Sequence, residues 1–186
     1  SARRRGSWLL ERCFGAVPIV AYTIAFGVLL VAGLLLIIWG FDVLDSPVVV
    51  IVSTAIPLSL SLGLVWQYLV SFRTSYLVFA ILGFLAVTLT RSIPTPGKIP
   101  TIILALVHGI AGMTIFLLPI LFSIQGMTQP LFSLVGVGGA LIGIGGLALS
   151  FLKAGKPILS KELILKILPV ILFLMTLCFV IGFKYG

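Results

Sequence analysis

A chain of 186 residues that is 61% hydrophobic and only 9% charged cannot clothe a soluble domain, since such domains carry about 25% charged residues. Its mean hydropathy of +1.35 makes lipid the natural solvent. The net charge of +8 does not point to nucleic acid: Lys and Arg lie at the ends of apolar segments, where they meet lipid headgroups, rather than along one soluble face.

The fold expected is an all-α integral membrane protein, a bundle of six transmembrane helices, with five helices plus one re-entrant or interfacial piece as the alternative. Residues 1–15 form a basic juxtamembrane arm with Arg3, Arg4, Arg5 and Arg12 around the aromatic anchor Trp8. The apolar run that follows is too long for the core of a signal peptide and lacks a small-residue cleavage pattern, so the arm is expected to be retained. Residues 16–186 form a single polytopic membrane domain.

The first span is expected over 16–40, ending at an interface marked by Trp39 and Phe41. Asp42 and Asp45 follow in a short loop, and Ser46-Pro47 is a helix start, with Ser46 as N-cap. The second span, 47–70, holds Ser53, Thr54, Ser59 and Ser61 around Pro57, and ends in Trp66, Gln67 and Tyr68 as an interfacial belt. The third, 74–89, is short for a crossing. Arg91 to Ile99 is a loop broken by two prolines and a glycine. Span four covers 100–124 with His108 and Pro119, and span five covers 130–152. Lys153 to Lys166 is a basic connection in which Ser160 caps the last span, 167–183.

Orientation follows Lys and Arg. With six spans, Arg3, Arg4, Arg5, Arg12, Arg73 and Lys184 fall on one side and Arg91, Lys98, Lys153, Lys156, Lys161 and Lys166 on the other, so the rule is tied six to six. If the third segment does not cross, the count becomes eleven to one. Inverted repeats also produce a tie. Pro18 and Pro100 near the starts of spans one and four fit such a repeat, without a residue-level self-match.

Three constellations stand out. His108 lies ~12 Å along its helix from Pro100, at a depth where a titratable side chain is a candidate for function. Helical spacing puts Ala105, His108 and Gly112 on one face with Gly109 beside them, so a second backbone can approach. The functional readings are a proton relay, a ligand to haem or metal, or a hydrogen bond to a quinone or lipid. The plainer reading is a neutral imidazole bonded to a neighbouring helix. One histidine excludes a bis-His haem within the chain, and the spans offer no further metal ligands. In the fifth span, Gly136, Gly139, Gly143 and Gly146 form a helix-packing stripe that includes a GxxxG. In the second, Thr54 and Ser61 define with His108 a polar path, or else cover carbonyls released by Pro57. Asp42 and Asp45 alone make a weak cation site. Cys13 is a juxtamembrane thiol open to palmitoylation.

No Ser/His/Asp set, no HExxH and no carboxylate within a span occurs, so an enzyme is not expected. The function expected is a non-catalytic integral subunit of a larger membrane complex, of a respiratory or energy-converting kind, in a prokaryotic cell membrane. It would bind no cofactor by itself, would contact lipid or quinone, and would have the bilayer and other membrane subunits as partners. The alternative is a small oligomeric channel or transporter using Thr54, Ser61 and His108.

Overall fold

The computed structural model describes residues 2–93, 97–153 and 159–186. Six α-helices follow one another: α1 (Ala2–Trp39), α2 (Pro47–Tyr68), α3 (Arg73–Ser92), α4 (Ile99–Ile124), α5 (Ser133–Lys153) and α6 (Lys161–Lys184), with no strand among the described residues. Each contains a stretch long and apolar enough to cross a membrane. The protein is a six-helix, multi-pass membrane protein.

Several boundaries differ from those expected. The first helix begins at Ala2, so the backbone of the basic arm is helical and continuous with the first span. The third helix runs on to Ser92 and is led in by a 3-10 turn from Val70, so its apolar stretch is Val70–Ser92. At ~1.5 Å per residue this reaches ~35 Å, enough for a full crossing, and the five-span alternative loses its ground. Arg73 and Arg91 lie within the helix rather than beyond it; a long aliphatic stem lets a charged head stay at the interface from inside a span. Likewise α6 begins at Lys161, not Ile167. Its start is set by Ser160, the expected cap, whose side chain accepts from the Leu163 amide at 3.2 Å. Ser46 caps α2 differently: its carbonyl takes the Val50 amide at 3.2 Å while its hydroxyl makes no capping bond. Several expectations concern the side chains of Arg3, Arg4, Arg5, Trp8, Arg12, Cys13, Asp45, Lys153 and Lys161, and residues 94–96 and 154–158, all outside the described residues.

Packing divides the chain into two compact units, one up to Ala111 and one from Gly112 onward. In the first, α2 is central: 44% of its span is buried, against 12% for α1 and 17% for α3. It meets α1 through small residues. Ala21 and Ala25 are buried one turn apart, and the Tyr22 ring lies against the backbone of Gly63. The Tyr22 hydroxyl then donates to Gln67 Oε1 at 3.2 Å, and Gln67 Nε2 donates to the Tyr68 hydroxyl at 3.2 Å. Trp66, expected at the lipid interface, is instead 4% exposed. Arg73 folds back over the α2–α3 turn: its Nε donates to the Trp66 carbonyl at 2.6 Å, and its guanidinium lies 5.7 Å from the indole centroid. One side chain thus satisfies a helix-end carbonyl and stacks on an aromatic face. Leu58, Ala80, Val87, Val107 and Ala111 form the core between α2, α3 and the start of α4, with Phe79, Phe84, Ile103 and Leu104 packed around them.

In the second unit, the last part of α4 joins α5 and α6. Gly126, at φ 70°, ends α4. The Met127 amide reaches the Phe122 carbonyl at 2.9 Å and the Gly126 amide reaches Ser123 at 3.2 Å, the paired bonds of a Schellman stop. Phe132, Val135, Met175 and Phe179 are buried, and Phe183 meets Phe132 edge-on at 6.2 Å.

Gly63 tests the first unit. A Cβ there would lie 2.8 Å from Tyr22 Cδ1 and closer still to Cε1, so Gly63→Ala should push the ring aside and break its bond to Gln67. Thermal unfolding in detergent should show a loss of roughly 1–3 kcal/mol, and Tyr22→Phe a smaller loss.

Candidate functional site

The hydroxyl groups of α2 are bonded within their own helix. Thr54 donates to Val50 at 2.7 Å and Ser53 to the same carbonyl at 3.1 Å. Ser61 donates to Pro57 at 2.6 Å and reaches Leu58 at 3.1 Å, and Ser59 donates to Ala55. The Ser53 carbonyl, which a residue with an N–H at position 57 would have engaged, is not among these acceptors. The hydroxyls are therefore ordinary back-bonded helix hydroxyls. Thr54 and Ser61 are both 0% exposed, inside the packed interior of the first unit. The depression between α1 and α2 that lies nearest in sequence is apolar apart from Ser59, with Ala16, Val20, Ile24 and Leu62 on its walls.

His108 sits on α4 one position past the buried stripe of Val107 and Ala111. It is half-buried, and its Nδ1 is shut off from solvent with no hydrogen-bond partner. The Leu104 carbonyl one turn back approaches the ring without completing a bond to Nδ1. A neutral imidazole has one donor and one acceptor nitrogen, so Nδ1 lacks a partner in either role. Beside it, Ala105 and Gly109 are exposed, and a Cβ on Gly109 would meet nothing within 4 Å. Within the first unit this strip of α4 is small, open and next to an unsatisfied polar atom. Gly112, which belongs to the second unit, likewise has open space at its Cβ position.

The glycine stripe of α5 divides. A Cβ on Gly136 would lie 2.5 Å from the Phe116 carbonyl oxygen, and one on Gly139 would lie 2.9 Å from Ile115 Cγ2, so both face α4. Cβ atoms on Gly143 and Gly146 would meet nothing within 4 Å. Two further glycines take up the opposite side. Gly138 lies under Phe179 and the Met175 carbonyl, and Gly145 under Leu168 and Ile171, while Gly182 of α6 sits against Val135. The 138/145 pair, one heptad apart, is the signal in the sequence that would have revealed a second packing seam.

Asp42 is exposed, and the described residues hold no group of three His, Cys, Asp or Glu side chains placed to ligate a metal. Cys178 is a half-buried free thiol in α6. Comparison with protein-family models, curated proteins and solved structures finds no match.

The α5 glycines give a graded test. Gly136→Ala places a methyl against backbone that cannot move cheaply, and should cost roughly 1–3 kcal/mol of thermal stability. Gly143→Ala should stay within about 0.5 kcal/mol. Equal effects would remove the distinction between the closed and open parts of the stripe.

Proposed function

We propose that this chain is a non-catalytic integral subunit of a larger membrane complex, of the respiratory or energy-converting kind, and that the α4 strip carrying His108 is where another polypeptide docks. The observation that supports this is the orphaned Nδ1 of His108 beside the open backbone of Ala105 and Gly109. An unsatisfied buried polar group costs about 1–3 kcal/mol, and small residues admit the close backbone approach that would supply a partner. The transport reading draws less support, because the hydrogens of Thr54 and Ser61 are engaged by Val50 and Pro57 and neither side chain meets solvent.

The test is a photo-crosslinking residue at position 105 in native membranes, with Ile81, exposed on α3, as the control position. Position 105 should couple to a second, distinct polypeptide and position 81 should not. Coupling only to lipid, or only to residues 112–186 of the same chain, would overturn the proposal. His108→Phe should lower recovery of the crosslinked complex about tenfold, the equivalent of ~1.4 kcal/mol for a lost buried hydrogen bond.

A further inference from the structure

The two arginines of α3 are placed in opposite ways. Arg91, in the last turn, has its Nε shut off from solvent with no hydrogen-bond partner, where no outside group reaches it. Arg73, the first residue of α3, is held along one edge and open along the other. Its Nε donates to the Trp66 carbonyl at 2.6 Å, and its guanidinium carbon lies 5.7 Å from the indole centroid. Trp66 is itself buried, so the cation rests on a fixed platform. Neither Nη group of Arg73 is bonded to a described residue, and neither is shut off from solvent. The terminal edge of this planar fork is therefore free for a ligand. The charge around it is one-sided. A cation at a helix N-terminus adds to the positive end of the dipole, yet the first turn of α3 holds no acidic residue and Phe72 makes no side-chain cap. The Trp66 carbonyl, at the end of α2, brings only the partial charge of a helix C-terminus. No Asp or Glu occurs from Ser46 to Lys161, so α2, α3 and the turn between them supply no carboxylate. The apolar stretch of α2 ends at Tyr68 and that of α3 begins at Val70, which sets Arg73 where hydrocarbon gives way to headgroups. Val70 and Phe72, 65% and 60% exposed, offer apolar surface just before the cation.

We infer that the α2–α3 turn binds an anionic phospholipid, with the two Nη groups of Arg73 on its phosphate oxygens and with Val70 and Phe72 in the acyl layer beside it. Two parallel N–H donors match a phosphate in a charge-assisted, directional pair. A fork already fixed by the Trp66 carbonyl and ring has less freedom to lose on binding than a loose interfacial side chain. The lipid is anionic because the ammonium of a zwitterionic headgroup would bring a second cation to a turn that lacks a counter-charge. The site is independent of the subunit reading, since it uses neither His108 nor the strip beside it.

The test is native mass spectrometry of the full chain in mild detergent, with dioleoylphosphatidylglycerol, dioleoylphosphatidylcholine or inorganic phosphate added. The phosphatidylglycerol adduct should survive activation better than the phosphatidylcholine adduct. Arg73→Gln should lower its occupancy about tenfold, and Arg73→Lys, which keeps the charge and loses the fork, roughly threefold. Lys184→Gln, which removes a charge from the same side of a six-span chain, should leave it unchanged. Equal loss in Lys184→Gln and Arg73→Gln would overturn the site in favour of bulk charge. Displacement of the lipid by millimolar phosphate would overturn it in favour of a free anion. Loss of a co-purifying polypeptide in Arg73→Gln, with phosphatidylglycerol retained, would overturn it in favour of a protein carboxylate. If Arg73→Gln does not yield folded protein, Arg73→Lys decides, and wild-type occupancy in that variant would overturn the role of the fork.

Discussion

Hydrocarbon offers no hydrogen bonds, so a backbone N–H or C=O left bare in it costs several kcal/mol, and this one constraint shapes each level of the molecule. It confines the crossings to helices. It also governs how the helices stop. Gly126 turns the end of α4 so that two amides fold back onto the Phe122 and Ser123 carbonyls, Arg73 reaches across a turn to the Trp66 carbonyl, and Ser160 receives an amide of the first turn of α6. Inside α2 the same rule binds Thr54, Ser59 and Ser61 to carbonyls one turn back. Hydroxyls that would advertise a polar channel in a water-filled setting are here locked into the helix that carries them.

Lipid chains are as apolar as leucine, so burying leucine drives no association between membrane helices, and close contact must come from shape. The structure obtains it by removing side chains. Ala21 and Ala25 open α1 to α2, and Gly63 lets the Tyr22 ring lie on backbone. Gly83 receives Val107, and α5 is thinned on two sides, by Gly136 and Gly139 toward α4 and by Gly138 and Gly145 toward α6. The consequence for mutation is directional. Where the atom opposite a glycine is backbone, as at Gly136, an added methyl has nowhere to go; where it is open space, as at Gly143, the glycine is a matter of surface.

How much of this was legible follows from which forces act within one helix and which act between helices. Hydropathy over a window of about 19 residues is a property of a single segment, so the six crossings could be read directly, as could the Ser160 cap. The ends were harder, because Arg91 and the Lys161–Lys166 run look like loop when charge alone is weighed. A helix keeps such residues where their stems let the heads reach the interface. Trp66 shows the other limit. An indole near a span end suggests an interface anchor; here it is buried, with the guanidinium of Arg73, seven residues later, over its ring. The glycine spacing 136/139/143/146 was visible, but spacing cannot say that only 136 and 139 meet a close neighbour, nor that 138 and 145 serve a different one. For the candidate site, His108 could be singled out by type and depth alone. That its Nδ1 has no partner depends on where the Leu104 carbonyl and the neighbouring helices lie, which no periodicity encodes.

The two orphans acquire meaning from the economy around them. The α2 hydroxyls, the turn amides and Arg73 Nε are bonded, so Arg91 Nε and His108 Nδ1 stand out among the buried side-chain atoms of the described residues. At about 1–3 kcal/mol each, both left bare would consume a large part of a typical stability of 5–15 kcal/mol. Their depths differ. Arg91 lies in the last turn of α3, where a long stem lets a charged head reach the interface. His108 lies nine residues past the start of its helix, and under the proposed function a neighbouring helix carries in the directional donor or acceptor that its neutral ring lacks.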